Sequence, residues 1–74
     1  MTTYRFSVLI EKDTDGYTAT CPELQGCYAQ ANTYEEVLVN IKDAIKLHIQ
    51  DRIEDGEDIP RADMVSLTSL ELAV

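Results

Sequence analysis

The sequence predicts an α+β fold in which an antiparallel sheet packs against one long helix, with the element order β-β-β-α-β. Three strand-like runs separated by short turns occupy the first part of the chain, and a helical repeat of apolar residues follows them. A last alternating segment closes the chain. The 74 residues, 45% of them hydrophobic, suffice for one core, so residues 1–74 are predicted to form a single domain.

The three strands are predicted from alternation and turn residues. Tyr4–Glu11 alternates with a period of two, which indicates a strand with one buried face. Asp13–Gly16 is a turn, since an Asp-Gly pair between strand-like runs favours a hairpin. Tyr17–Cys21 is the second strand, and Pro22 ends it because proline has no N–H for the ladder. Cys27–Ala31 is predicted as the third strand of the meander.

The helix is predicted over Tyr34–Asp55. Thr33 and Glu36 have capping-box spacing, in which each side chain accepts a hydrogen bond from the backbone N–H of the other residue. Gly56 is the predicted C-terminal stop. Six apolar residues recur at helical spacing and form one stripe toward the sheet: Val37, Leu38, Ile41, Ala44, Ile45 and Ile49.

The last strand is predicted over Met64–Val74. Its alternation changes phase between Leu67 and Leu70, so either a bulge interrupts the strand or the strand ends near Thr68. The register of this segment is therefore left open.

Four apolar residues are candidates for an interface between copies of the chain. On a helical projection two of them, Val39 and Leu47, point away from the stripe. They are either scattered surface side chains or contacts with another subunit. With Leu70 and Leu72 of the last strand, they form the predicted oligomer interface.

The net charge of −8, from 14 acidic and 6 basic residues, restricts the class of partner. Nucleic-acid binding needs cations that replace counterions, so direct binding to nucleic acid is not expected. An acidic surface suits a basic protein partner. Neither a signal peptide nor an apolar run long enough to cross a membrane is recognisable, which predicts a cytoplasmic protein.

The acidic residues concentrate in two places. Several follow the predicted helix at its C-terminus, where the helix dipole disfavours negative charge. Acidic residues at this end lower the stability of the helix, which indicates either a functional surface or an exposed, frayed end. The residues predicted to bind a basic partner are Asp13 and Asp15 of the hairpin, and Glu54, Asp55, Glu57 and Asp58 near the helix end.

Metal chemistry has weak support in the sequence. A calcium loop that started at Asp13 would place Thr18 at its sixth position and Leu24 at its twelfth, where glycine and glutamate are required. A nuclease-like metal site could be assembled only if separated carboxylates converged, and the candidates are Glu11, Asp43 and Glu71.

The sequence gives equally weak support for a metal-binding or catalytic role of the cysteines. Cys21 and Cys27 with the single His48 are too few for a four-ligand zinc site. A Cys/His nucleophile pair would lack a third, orienting group. The sequence therefore predicts no catalytic residue, no metal and no cofactor, and the protein is not expected to be an enzyme.

The sequence as a whole resembles the HicB-like antitoxin family. The resemblance is carried by Asp13–Tyr17, by Cys21-Pro22-Glu23-Leu24-Gln25-Gly26-Cys27, and by Thr33–Val37, Asn40–Ile45 and Gly56–Pro60, in that order. It implies a partial RNase H-like domain that pairs with a HicA-type toxin, a small basic ribonuclease that cleaves mRNA. It also implies a homo-dimer or tetramer.

The chain departs from the family pattern at two points. Gln25 stands where the family loop has a proline, and the chain stops at Val74 without the C-terminal DNA-binding domain that many members carry. The resemblance thus implies a short-form antitoxin that binds and neutralises its toxin without binding operator DNA. The alternatives are an orphan oligomerising domain with no toxin partner and, less favoured, a metal-dependent nuclease of degraded RNase H type.

Overall fold

The computed structural model describes residues 3–62 and 64–74. Its regular elements are β1 (Leu9–Asp13), β2 (Gly16–Thr20), β3 (Tyr28–Ala31) and α1 (Tyr34–Glu54). The strands form one antiparallel sheet in the order β1-β2-β3. The α+β class and the succession of three strands and one long helix are therefore confirmed.

The first strand begins later than the predicted Tyr4–Glu11. Leu9 pairs with Thr20, so continued pairing would bring Ser7 opposite Pro22. Pro22 has no N–H to donate. The backbone N–H of Ser7 instead donates to Oε2 of Glu23, at 2.9 Å. The pairing of β1 with β2 consequently starts at Leu9, and Ser7, which precedes the strand, is held by the Glu23 side chain.

The hairpin between β1 and β2 closes through Thr14 and Asp15 at the predicted turn. The backbone N–H of Asp15 donates to Oδ1 of Asp13, at 2.8 Å. Gly16 has a φ of +130°, and a Cβ on it would lie 2.7 Å from the carbonyl oxygen of Ala31. Both the dihedral angle and the close approach of β3 therefore require glycine here.

The core lies between the helix and two of the three strands. Helix α1 packs against β2 and β3, and among the described residues it makes no close backbone contact with β1. The alternation of each strand sends one face toward the helix. Among the described residues, the buried core consists of Ala19, Cys21, Leu24, Cys27, Val37 and Ile41.

The helix begins one residue after Thr33, as predicted. Thr33 has extended backbone angles, and its Oγ1 accepts a hydrogen bond from the N–H of Glu36, at 3.1 Å. The return bond from Thr33 N–H to the Glu36 carboxylate is not among the hydrogen bonds of the described residues, so only half of the predicted capping box forms.

The helix ends in a Schellman motif around Gly56. The N–H of Gly56 donates to the carbonyl of Ile53, at 3.1 Å, and the N–H of Glu57 donates to the carbonyl of Arg52, at 2.8 Å. Gly56 has a φ of +73°, which turns the chain away. The predicted stop is confirmed, and Asp55 is the cap residue instead of the last helical one.

The predicted fourth strand, Met64–Val74, is not formed. Residues 64–74 are described throughout and adopt neither helix nor strand, and their side chains are exposed. The phase change gives the physical reason, because a register that buried Val65 and Leu67 would turn Leu70 and Leu72 to the opposite face. In the part of the chain that the structure describes, no helix is long and apolar enough to cross a membrane.

Candidate partner-binding surfaces

A cleft of about 450 Å³ lies between the hairpin turn and the first turns of α1. The close approach of Gly16 to Ala31 brings the hairpin beside the start of the helix, and the rings of Tyr17 and Tyr34 meet edge to face at 6.2 Å. Three carboxylates line this cleft: Asp13, Asp15 and Glu36. The polar amides Gln30, Asn32 and Asn40 complete its walls.

The side chains of this hairpin–helix cleft mostly offer hydrogen-bond acceptors. Carboxylate oxygens can only accept hydrogen bonds when ionised. The Asn40 amide donates to the carbonyl of Gln30, at 3.1 Å, which leaves its own oxygen available as an acceptor. Such a set suits the donors of a Lys or Arg side chain. Glu36 is absent from the predicted partner-binding residues, because its spacing from Thr33 indicated a capping role and only the tertiary fold brings it beside the hairpin.

The second acidic surface follows the end of α1. The four predicted residues Glu54, Asp55, Glu57 and Asp58 are all exposed there. Arg52 offsets one of these charges, since its Nη1 lies 3.5 Å from Oε2 of Glu57. Its buried Nε has no hydrogen-bond partner among the described residues. Three carboxylates of this helix-end cluster thus remain without a basic neighbour in the described part of the chain.

The predicted partner-binding residues form two surfaces, not one. Asp13 and Asp15 lie beside the first turn of the 21-residue helix, whereas the helix-end cluster lies beyond its last turn. At ~1.5 Å per residue, the helix separates them by about 30 Å. A single small contact cannot cover both.

The predicted oligomer-interface residues are all exposed. Val39 and Leu47 are 60% and 61% exposed on α1, and they are about 80° apart around the helix axis. Val39 shares a shallow depression with Glu35, next to the hairpin–helix cleft. Leu70 and Leu72 lie in the C-terminal segment, outside any regular element.

The two cysteines are buried, free thiols. The backbone N–H of Cys21 donates to the carbonyl of Cys27, at 3.1 Å. Burial raises the pKa of both thiols above the usual thiol value, and for Cys21 the carboxylate of Glu23 adds to this effect. Both therefore stay protonated at neutral pH, and a protonated thiol is a poor nucleophile.

The residues considered for a nuclease-like metal site do not converge. Within residues 3–62 and 64–74, no three side chains of His, Cys, Asp or Glu are grouped so that they could hold a metal ion. Glu11, Asp43 and Glu71 all lie in these ranges and remain apart.

Residues 6–72 match the family model described as the HicB-like antitoxin of bacterial toxin-antitoxin systems. The chain belongs to the HicB-like antitoxin family. This HicB-like protein is 43% identical over 63 residues to the UPF0150 protein ssr1765 of Synechocystis sp., a match that covers 84% of the chain and 80% of the relative. It is 40% identical over 65 residues to the UPF0150 protein Ta0767 of Thermoplasma acidophilum, covering 86% and 94% of the two chains.

A solved structure has the same fold. A chain of the HicA3 and HicB3 toxin-antitoxin complex superposes on the HicB-like protein with a TM-score of 0.64 and 24% sequence identity. The superposition covers 78% of the HicB-like protein and 67% of the other chain. At 24% identity, this similarity shows that the two chains share the fold of the sheet and helix, and no more.

Proposed function

We propose that this HicB-like protein is an antitoxin that binds and neutralises a small, basic, HicA-type toxin that cleaves mRNA in the cytoplasm. The match of residues 6–72 to the antitoxin family carries the proposal. The net charge of −8 supports it independently, because an acidic protein attracts a basic partner over long range and accelerates their encounter.

The hairpin–helix cleft is the docking site that the geometry favours. It is concave, and its carboxylates come from the hairpin, which supplies Asp13 and Asp15, and from the first turn of α1, which supplies Glu36. A Lys or Arg of the toxin that entered it would meet Asp13, Asp15 and Glu36 together. The exposed Val39 beside it supplies apolar contact area. A charged rim next to an apolar residue is typical of protein interfaces.

Inhibition by this protein needs no catalytic group of its own. A toxin that binds RNA must present basic residues to phosphate. Carboxylates that occupy those basic residues compete directly with the RNA. The antitoxin would therefore act by covering the RNA-binding surface, and its protonated, buried thiols take no part.

Two charge-reversal variants separate the two acidic surfaces. Asp13→Lys/Asp15→Lys alters the cleft, and Glu57→Lys/Asp58→Lys alters the helix-end cluster. Each exchanges two negative for two positive charges, so each changes the net charge from −8 to −8 + 4 = −4. We expect the cleft variant to weaken binding to the HicA-type protein by about 100-fold, which corresponds to ~2.7 kcal/mol. The helix-end variant should weaken binding by less than about 10-fold.

The measurements are the Kd at two salt concentrations and the inhibition of RNA cleavage by the toxin. Circular dichroism of each variant establishes that it is folded. Equal losses in the two variants would show that only net charge matters and would reject the cleft as the docking site. If no HicA-type protein from the same genome co-purifies with the wild-type chain, the antitoxin role itself is rejected.

The second candidate function is an oligomerising domain without a toxin. The exposed apolar side chains of the C-terminal segment favour a homomeric contact, since large exposed apolar residues in a chain of this size indicate an interaction surface. Recovery of a stable homo-oligomer with no basic partner would support this second function. A homo-dimer or tetramer is equally compatible with the antitoxin role.

A further inference from the structure

The C-terminal segment (residues 64–74) has the alternating pattern of a strand but forms no strand in the structure. From Leu70 onward apolar and small or polar residues alternate, so Leu70, Leu72 and Val74 would share one face of an extended chain. In the structure Leu70 and Leu72 are 82% and 81% exposed, and Val74 is fully exposed. Three apolar residues in this arrangement can be buried only against another surface.

The sheet has an unpaired edge at β1, with partly buried apolar residues beside it. Within the described residues β1 pairs with β2 alone, so its outer N–H and C=O groups lack strand partners. Helix α1 covers β2 and β3 but does not reach β1. Ile10 of β1 and the preceding Phe6 are therefore only partly buried at the margin of the core. An added strand at this edge would complete both the ladder and the core.

The segment leaves the body of the protein near this edge but does not lie on it. The Arg61 guanidinium stands 5.0 Å from the centroid of the Tyr4 ring, and residues 3–6 and 60–62 together line a small cleft. This contact places the residues just before the segment next to residues 3–6, which precede β1. Beyond it, the exposure of Leu70 and Leu72 shows that they have little contact with their own copy.

Charge indicates which partner would receive the segment. Residues 64–74 contain one charged side chain, Glu71, so a basic protein gains little electrostatic attraction there. A second copy has the same net charge of −8 and would be repelled by any acidic surface. Two copies are therefore repelled least where both surfaces have low charge: the C-terminal segment has only Glu71, and β1 has a net charge of −1 from Glu11, Lys12 and Asp13.

We propose that residues 70–74 of one copy add as a fourth strand to the β1 edge of a second copy, in a reciprocal exchange. Leu70, Leu72 and Val74 then lie beside Ile10 and Phe6 of the other copy. A twofold axis makes the two contacts identical and closes the assembly as a dimer. This strand exchange is a way for the chain to pair with itself, and it is independent of the toxin-binding role.

The dimer is tested with a pair of matched variants, without any toxin. Leu70→Asp/Leu72→Asp places charge on the proposed buried face, and Ser69→Asp/Ala73→Asp places the same charge just before the strand and on its opposite face. In sedimentation equilibrium we expect the wild type and the control to have about twice the 8.3 kDa of one chain. The Leu70/Leu72 variant should raise the dimer dissociation constant by about 100-fold or more.

A second measurement on the wild type identifies the copy that receives the strand. In a mixture of ¹⁵N-labelled and ¹³C-labelled chains, we expect isotope-filtered NOEs between residues 70–74 of one label and residues 9–13 of the other. NOEs between these segments confined to a single copy would overturn the proposal, as would a monomeric wild type or a dimer that both variants weaken equally. None of these results bears on the binding of a HicA-type protein, so the two proposals fail separately.

Discussion

At the level of single residues, the loop between β2 and β3 shows how a short segment can be fixed without regular structure. Leu24 is fully buried, its N–H donates to the carbonyl of Cys21, and its carbonyl accepts from the N–H of Cys27, each at 3.1 Å. The two cysteines belong to the same buried core cluster as this leucine. Cys21 and Cys27 therefore act as small packing residues, and their chemistry affects the protein mainly through stability.

The raised pKa values of these thiols make stability depend on pH. A raised pKa means that the folded state holds the thiol proton more strongly than the unfolded state. The stabilisation is complete below the unfolded thiol pKa of ~8.5 and is lost as pH rises through the folded value. We expect the free energy of unfolding, measured by urea denaturation, to fall as the pH rises above about 8.5.

The matched control is Cys21→Ala/Cys27→Ala, whose decrease over the same pH range should be smaller. The two proteins differ only at these two positions, so the difference between the two slopes isolates the thiols. Identical slopes would contradict the assignment of the pH dependence to these cysteines.

Gly16 gives a second prediction at this scale. An alanine there would adopt a positive φ and would also bring its Cβ within 2.7 Å of the Ala31 carbonyl oxygen. We expect Gly16→Ala to lower the free energy of unfolding by roughly 2–4 kcal/mol. Gly56→Ala is the control, because Gly56 also has a positive φ but an alanine methyl group there would meet no atom within 4 Å. Its loss should be about 1–2 kcal/mol, and equal losses would show that the contact with Ala31 is unimportant.

At the level of elements, the helix and the strands were predictable to different degrees. The helix boundaries follow from local signals, a threonine cap at its start and a glycine stop at its end, that are independent of the rest of the fold. The start of β1 depends instead on the residue opposite Ser7 in the neighbouring strand, which is Pro22. No pattern within residues 4–13 could have revealed that limit.

The N-terminal cap of α1 is testable by substitution. Thr33→Ala removes the oxygen that accepts from the N–H of Glu36, so we expect a loss of about 1 kcal/mol in the free energy of unfolding. Thr33→Ser keeps that oxygen and should lose at most a few tenths of a kcal/mol. Urea denaturation of the two variants gives the comparison, and equal losses would show that the methyl group, not the hydroxyl, contributes the stability.

At the level of the whole molecule, the excess of negative charge is a property that the fold must tolerate. Like charges 10 Å apart repel by roughly 0.4 kcal/mol in water, and the repulsion is summed over many pairs at a net charge of −8. The fold distributes part of this charge between the two ends of α1. Proximity to a basic partner would relieve the repulsion, which couples partner binding to stability.

This self-repulsion predicts a stabilising effect of salt. Raising the ionic strength from about 10 mM to 150 mM shortens the Debye length from about 30 Å to about 8 Å. We expect the free energy of unfolding in urea, an uncharged denaturant, to rise by about 1 kcal/mol over this range. Asp55→Asn/Asp58→Asn should reduce the increase, and a decrease with salt would show that favourable ion pairs outweigh the repulsion.

The sequence by itself determined the family, the three strands, the helix with both of its ends, and the acidic character, because each depends on residues close together in the chain or on composition. Tertiary structure decided three further features. It placed Glu36 beside Asp13 and Asp15, it separated the helix-end cluster from them by the length of α1, and it left residues 64–74 outside the sheet. Each of these depends on which distant segments come into contact, and local periodicity contains no information about that.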